Sequence, residues 1–299
     1  MPVVRFAPVN RCIYCGTTDG PLSEEHIVPF ALGGEHVLPA ASCRRCAKIT
    51  GAFEQICSRK MLGDFRVKFK LPTRRKKERP AKLKVMDLNH RRVAQAAEQA
   101  IRSGQRTFSV PVDTLEVLPA EQPINFILPQ FNPPRILLGQ PRQPDKYPYE
   151  QSFWGIASNT ELAQLRSQYG QVSPYPAQCH VPSFVRMLAK ISHAGAAAGF
   201  GIDSFRPLLP DLILGKLTDF LDLVGGELAR QPKVTGKYET RFSTPTILGR
   251  CYLVSHFRLF PEFGTPQYHV VVGEIDGPMS ALITKPSSPN SHSMQPELR

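Results

Sequence analysis

The sequence has no uninterrupted apolar run of about 18 residues, the length that a membrane-spanning helix requires. The opening residues, MPVVRFAPVNRC, contain no apolar segment of the kind found in secretory signals. Acidic residues are few, because 25 Asp and Glu stand against 37 Lys and Arg and leave a net charge of +12. We therefore expect a cytoplasmic protein without a membrane partner, and the positive charge predicts a polyanionic partner, first of all nucleic acid.

Cysteine is also scarce, and the seven cysteines form an odd number that argues against a disulfide framework. Four of them form two CxxC pairs, Cys12 with Cys15 and Cys43 with Cys46. Two such pairs supply the tetrahedral sulfur set that Zn²⁺ favours. A zinc ion with four protein ligands has no open position, so the sequence predicts a structural zinc that the fold requires. A redox role is disfavoured, since no βαβ pattern surrounds the pairs.

Three segments around these pairs, CIYCG, SEEHIVPFALGG and LPAASCRRCAKITGAFE, combine features that are specific only when taken together. They are a CxxC, an acidic residue followed by His and a nearby Pro, a Gly-Gly pair, and a second CxxC that opens a helix. This combination, over residues 11–60, resembles the zinc-containing HNH endonucleases. The resemblance implies a ββα-metal finger, in which a β-hairpin and a helix hold one divalent cation. We therefore expect an α+β protein, with an N-terminal zinc-stapled ββα-metal (HNH) finger followed by a larger mixed α+β domain.

The resemblance assigns catalysis to two adjacent residues, Glu25 and His26. His26 matches the general base that activates water, and Glu25 matches a ligand of a catalytic divalent ion, Mg²⁺ or Mn²⁺. Phosphodiester hydrolysis needs such a Lewis acid and a base that titrates near neutral pH. Because adjacent side chains of a strand point to opposite faces, both can serve one phosphate only if the strand is bent or bulged. The alternative is that His26 is a structural histidine that supports the zinc site.

Two positions depart from the family pattern. Leu38 stands where the family has its middle Asn, and Ala47 stands where it has a third His or Asn. Glu54 shares the helix face of Ala47, so Glu54 or the loop residue His36 is the expected replacement ligand. The favoured function is a metal-dependent endonuclease that hydrolyses nucleic acid, with DNA as the expected substrate. The alternative is a catalytically degenerate HNH finger that binds DNA as a zinc-dependent regulatory module.

Basic residues form two candidate groups for phosphate contacts. One group flanks the start of the expected helix, where a helix N-terminus itself attracts phosphate. The other alternates with apolar residues over 65–71 and 82–85, which predicts a β-hairpin with one cationic face around a basic turn. The alternative is that these side chains are simply solvated. The candidates are Arg44, Arg45, Lys48, Arg66, Lys68, Lys70, Arg74, Arg75, Lys76, Lys77, Lys82 and Lys84.

The rest of the chain carries no motif with an evident mechanism. We expect a zinc module over residues 1–70, a basic hairpin or junction over 71–85, an α+β accessory domain of unknown role over 86–285, and a disordered tail over 286–299. A helix is expected from Ser183, and its residues Arg186, Lys190 and His193 are interpreted as a solvated polar face. Two strands near the end of the chain are expected to form a hairpin that places His256 and His269 side by side.

Overall fold

The computed structural model describes residues 3–88, 90–104, 113–141 and 152–277. The tail expected over 286–299 lies outside these residues. No helix in the described part of the chain is long and apolar enough to cross a membrane.

The chain folds as a mixed α+β protein, which confirms the α+β class that the sequence predicted. The helices are α1 (Arg44–Gln55), α2 (Gly63–Lys68), α3 (His90–Arg102), α4 (Asn159–Tyr169), α5 (Val181–Phe200) and α6 (Pro210–Leu214). The strands are β1 (Val4–Arg5), β2 (Leu22–His26), β3 (His36–Cys43), β4 (Leu83–Asp87), β5 (Asp113–Val117), β6 (Asn125–Gln130), β7 (Ser152–Ala157), β8 (Val172–Pro174), β9 (Arg206–Pro207), β10 (Val224–Gly226), β11 (Tyr238–Ser243), β12 (Thr246–Ile247), β13 (Arg250–Leu259) and β14 (Tyr268–Ile275).

The chain divides into two compact units, and both are assembled from separated stretches of sequence. The first unit contains Met1–Lys60, Leu128–Trp154 and Cys179–Arg299. The second unit contains Met61–Ile127 and Gly155–Gln178. The first unit therefore joins the N-terminal cysteine region to the C-terminal part of the chain, whereas the sequence led us to expect domains that are continuous ranges.

The N-terminal part of the first unit is a small sheet followed at once by α1. Strands β2 and β3 form an antiparallel hairpin, and β1 pairs with β3 in parallel. The Gly-Gly pair shapes the hairpin loop, because Gly33 has a left-handed φ of 88° and a Cβ on Gly34 would collide with the carbonyl of Val28. Helix α1 packs against both strands of the hairpin.

The C-terminal part of the first unit is a larger antiparallel sheet covered by α5. Its strand order is β10-β14-β13-β11, with β9 paired to β14 and β12 paired to β13. The expected hairpin is confirmed as β13–β14, and His256 lies directly opposite His269 in it. Helix α5 packs against β13, β14 and also α1, so that it links this sheet to the cysteine region. That placement explains why almost every α5 side chain between Ser183 and Ala197 is buried.

The second unit contains the antiparallel sheet β5-β4-β8 together with α2, α3 and α4. Apolar side chains of the sheet and of α4 form its core. The core residues are Val85, Val117, Leu165 and Val172.

The β-hairpin expected from residues 65–71 is wrong. Residues Gly63–Lys68 form helix α2, and β4 pairs with β5 and β8 instead of with this segment. The aromatic residues explain the difference. Phe65 and Phe69 are one helical turn apart with ring centroids 4.5 Å from each other, and Phe65 also packs on Phe126 at 4.9 Å. Packing of these rings outweighs the strand-like alternation of the sequence.

Candidate functional site

The four cysteines of the two CxxC pairs come together in the first unit. Their sulfur atoms lie within 4.8 Å of one another, and the Sγ atoms of Cys15 and Cys43 are 3.7 Å apart. A tetrahedral ion with Zn–S bonds of about 2.3 Å separates its ligands by about 3.8 Å, so the spacing fits one zinc ion. Within the residues that the structure describes, no other group of three or more His, Cys, Asp or Glu is placed to hold a metal.

The backbone prepares each pair for a shared metal. The amide of Gly16 donates to the carbonyl of Cys12, and a left-handed φ of 77° at Gly16 closes this first turn. Cys43 precedes α1 and Cys46 lies in its first turn. Burial raises the pKa of Cys12 and of Cys46. Burial also opposes ionisation of Cys43, but hydrogen bonds from Cys46 and neighbouring thiols lower its pKa to about 7. Because metal binding must displace thiol protons, zinc affinity is expected to fall with decreasing pH.

Glu25 and His26 lie at the end of β2, next to a bulge. The pairing register with β3 shifts between Ser23 and Glu25, but Glu25 and His26 themselves pair with the consecutive residues Leu38 and Val37, so their side chains leave opposite faces of the strand. Glu25 is buried and stands opposite the buried Leu38. His26 is only partly buried, and its ring centroid is 5.5 Å from that of Phe30. The two residues therefore differ in their access to solvent.

Lys190 of α5 reaches the carboxylates that the sequence marked as metal ligands. Its Nζ lies 2.7 Å from Oε1 of Glu25 and 2.8 Å from Oε1 of Glu54. The ammonium also donates to the carbonyl oxygens of His26 and, at 3.2 Å, of Ile27. The Lys190 side chain is 0% exposed. Burial disfavours its charged form, but the two carboxylates raise the pKa of Lys190 above its ordinary value, so it carries its proton.

The cysteine cluster and the carboxylates of Glu25 and Glu54 lie within a segment that matches a known protein family. Residues 12–61 match the HNH endonuclease family. We call these residues the HNH module; they include the cysteine cluster, the β2–β3 hairpin and α1. Comparisons with curated proteins and with solved structures find no match to the chain. The family resemblance is thus confirmed for the N-terminal module, and it indicates a nuclease or nucleic-acid-binding function.

HNH endonucleases use a divalent ion, and the residues of this HNH module do not fit one as the structure places them. Glu25 and Glu54 do converge, as the sequence suggested, but both contact the ammonium of Lys190. Ala47 has no ligand atom. The other expected ligand, His36, instead has Nδ1 at 3.0 Å from the Tyr238 hydroxyl.

The sequence reasoning missed the contribution of α5. The interpretation of Arg186, Lys190 and His193 as a solvated polar face is wrong, since Lys190 and His193 are 0% exposed. The guanidinium of Arg186 lies 4.8 Å over the ring of Phe53 in α1. Nε2 of His193 donates to the carbonyl of Ile13 at 2.7 Å, inside the first CxxC turn. Three polar residues on one face of an otherwise apolar helix were the signal, because such residues need internal partners.

The expected nucleic-acid contacts divide into exposed and internal side chains. The three basic residues at the start of α1 are all exposed and follow Cys43 of the four-cysteine cluster. In the second unit Lys68 is not available, because its side chain is 10% exposed, pairs with Glu161 at 3.0 Å and donates to the carbonyl of Gln122. Arg66 donates to the carbonyl of Pro72. The candidates of that unit that are exposed are Lys70, Arg74, Arg75, Lys76, Lys77, Lys82 and Lys84.

A second polar cluster crosses the larger sheet of the first unit. Nδ1 of His256 lies 2.7 Å from Nδ1 of His269, and Nε2 of His256 lies 2.7 Å from the Ser243 hydroxyl. Nε2 of His269 lies 3.0 Å from Glu227. One choice of tautomers satisfies all three hydrogen bonds: Ser243 donates to His256, His256 donates to His269, and His269 donates to Glu227. Both imidazoles are then neutral.

Acidification is expected to destabilise the protein through this pair. Burial and the neighbouring His269 lower the pKa of His256 from its ordinary value of 6.5 to about 4, and burial lowers that of His269. The unfolded chain therefore binds protons first, so stability is complete above pH 6.5 and is lost as the pH falls toward 4. Urea denaturation at several pH values measures the loss.

A His256→Gln variant is the control, because glutamine does not titrate and the variant should lose less stability on acidification than the wild type. Any effect of pH on the zinc site is the same in both proteins. Equal losses of stability in the two proteins would therefore contradict the assignment to this histidine pair.

Proposed function

We propose that the protein binds nucleic acid, and specifically DNA, through a zinc-dependent HNH module that does not use a catalytic divalent ion. The observation that carries the proposal is the exposed basic group at the start of α1, beside the four-cysteine cluster. Arg44, Arg45 and Lys48 extend into solvent where the helix dipole also favours an anion. The net charge of +12 adds long-range attraction for a polyanion.

The residues around Glu25 support binding without hydrolysis. A metal-dependent nuclease needs carboxylates that are available to an ion at the scissile phosphate. Here Glu25 is buried and paired with Lys190, and Leu38 and Ala47 stand where the family has polar residues. The zinc ion would hold the turn of Cys12 and Cys15 against the junction of β3 and α1 and thereby position the basic residues. The exposed basic residues of the second unit are proposed as additional phosphate contacts.

Neutralising the basic group at the start of α1 is expected to weaken DNA binding and its dependence on salt. Each phosphate contact contributes about 0.9 to the slope of log affinity against log salt, so the variant R44A/R45A/K48A should lose roughly 2 to 3 in slope. Fluorescence anisotropy with a duplex oligonucleotide at several salt concentrations measures both quantities. The same assay on a variant with residues 74–77 neutralised tests the second basic group.

A matched control removes three exposed charges elsewhere. Arg102, Arg206 and Lys216 are exposed and each pairs with a nearby carboxylate. Their combined replacement by alanine should leave the salt slope close to that of the wild type. Equal weakening by both triple variants would mean that total charge alone drives binding and would overturn the assignment to the HNH module.

The second candidate function is endonuclease activity with His26 as general base and Glu25 as metal ligand. The observation that favours it is the partial exposure of His26 at the end of β2. Plasmid nicking with Mg²⁺ or Mn²⁺ separates the two candidates. We expect wild type and His26→Ala to bind DNA and to leave it uncut. Cleavage by the wild type that His26→Ala abolishes would establish the second candidate, whereas equal cleavage by both proteins would point to contamination or another site.

A further inference from the structure

The surroundings of the Lys190 ammonium resemble the ligand shell of a metal cation. Four oxygen atoms lie around Nζ: one from each carboxylate of Glu25 and Glu54, and the carbonyl oxygens of His26 and Ile27. Carboxylate and carbonyl oxygens are the ligands that Mg²⁺ and Ca²⁺ prefer. The oxygens come from β2, the residue after it and the end of α1.

The ammonium and a divalent ion cannot occupy this place together. An ion bound to both carboxylates would lie about 2.0–2.6 Å from each oxygen, which overlaps the position of Nζ at 2.7 and 2.8 Å. Displacing the ammonium is also unfavourable, because the Lys190 side chain is 0% exposed and its charge would have to be buried without a partner. The lysine is therefore part of the folded module and not a loosely held substitute.

We propose that Lys190 is the built-in cation of the HNH module: its ammonium takes the position of a divalent ion between Glu25 and Glu54 and joins β2 to α1 in its place. The module then binds no divalent ion at these carboxylates. The same geometry makes the carboxylates a latent site for Mg²⁺, Mn²⁺ or Ca²⁺, which opens when the lysine side chain is shortened. This inference does not depend on DNA binding.

Binding of Mn²⁺ to the zinc-loaded full chain, followed by electron paramagnetic resonance, tests the proposal. The wild type is expected to bind no Mn²⁺ at this site, whereas Lys190→Ala should bind one additional ion per chain. Adding Glu54→Gln to Lys190→Ala should remove the gain. Arg186→Ala, which truncates another cation of the same helix, should behave as the wild type does.

Two outcomes would overturn the proposal. One is Mn²⁺ binding by the wild type that Glu25→Gln abolishes, because the carboxylates would then hold an ion with the lysine in place. The other is a folded Lys190→Ala protein that binds Mn²⁺ no better than the wild type. If Lys190→Ala does not fold alone, we expect Mn²⁺ or Ca²⁺ to restore its circular dichroism spectrum, and failure of both ions to do so would equally reject the proposal.

Discussion

Replacement of Cys46 by serine is expected to remove zinc from the protein and to unfold the HNH module. The four sulfur atoms lie within 4.8 Å of one another, so the loss of one leaves three thiols that cannot fill a tetrahedral site. Structural zinc sites contribute on the order of 10 kcal/mol to the folding of small modules, more than the whole stability of many domains. Atomic absorption measures the metal content, and hydrogen exchange over residues 12–61 reports the folding of the module.

Cys251→Ser is the matched control for this experiment. Cys251 is half-buried in β13, where it accepts a hydrogen bond from Thr246 at 3.6 Å and takes no part in the four-sulfur cluster. The control should keep one zinc per chain and the exchange pattern of the wild type. A Cys46→Ser protein with full zinc content, or a wild type without zinc after expression in zinc-containing medium, would contradict the structural role of the cluster.

The second large effect is expected at Lys190. Lys190→Met keeps the side chain as far as Cε but leaves the carboxylates of Glu25 and Glu54 without their cation. Removing one partner of a buried ion pair costs about 3–5 kcal/mol, because the remaining charge stays desolvated. We therefore expect the free energy of unfolding of the zinc-loaded protein to fall by about this amount. Urea denaturation at neutral pH, followed by circular dichroism, measures it.

Additional variants separate the charge effect from a packing effect. In Lys190→Met combined with Glu25→Gln and Glu54→Gln, this cluster holds no unpaired charge, so most of the lost stability should return. Lys216→Met provides the exposed comparison, since Lys216 pairs with Asp211 at the surface and should change the stability by less than about 1 kcal/mol. A Lys190→Met protein as stable as Lys216→Met would show that the buried ion cluster contributes little.

The HNH module depends on contacts from α5. Lys190 joins β2 and α1 through Glu25 and Glu54, and His193 donates to Ile13 within the first cysteine turn. The module is therefore completed by a helix that lies well over a hundred residues later in the chain. For this reason we propose experiments on the full chain and not on an excised N-terminal fragment.

The parts of the site that sequence could predict depend on local spacing. Two residues between the cysteines of each pair force a tight turn, whatever the rest of the chain does, so a metal cluster follows from the spacing alone. The HNH resemblance has the same origin, because Glu25, His26 and the Gly-Gly pair lie close together in the chain. Convergence of Glu25 and Glu54 was also predictable, since helical periodicity places Glu54 on the face of Ala47.

The parts that sequence could not predict depend on distant partners. The alternation over residues 65–71 indicates a strand, but Phe126 provides a partner for Phe65 that stabilises helix α2. The polar face of α5 looks solvated from its composition, and only the position of the HNH module shows that Lys190 is enclosed. A side chain is buried only where a second element covers it, and the sequence pattern of a helix describes the helix but not the element that covers it.

The sequence by itself therefore determined the four-cysteine cluster, the family that the N-terminal module matches and the basic character of the protein, because each follows from residue types at short separations. Only the tertiary structure decided what stands between Glu25 and Glu54. The carboxylates mark a cation site in the sequence, and the fold supplies the cation from Lys190, whose charge is retained in the core because two carboxylates and two carbonyl oxygens replace the water that it loses on folding.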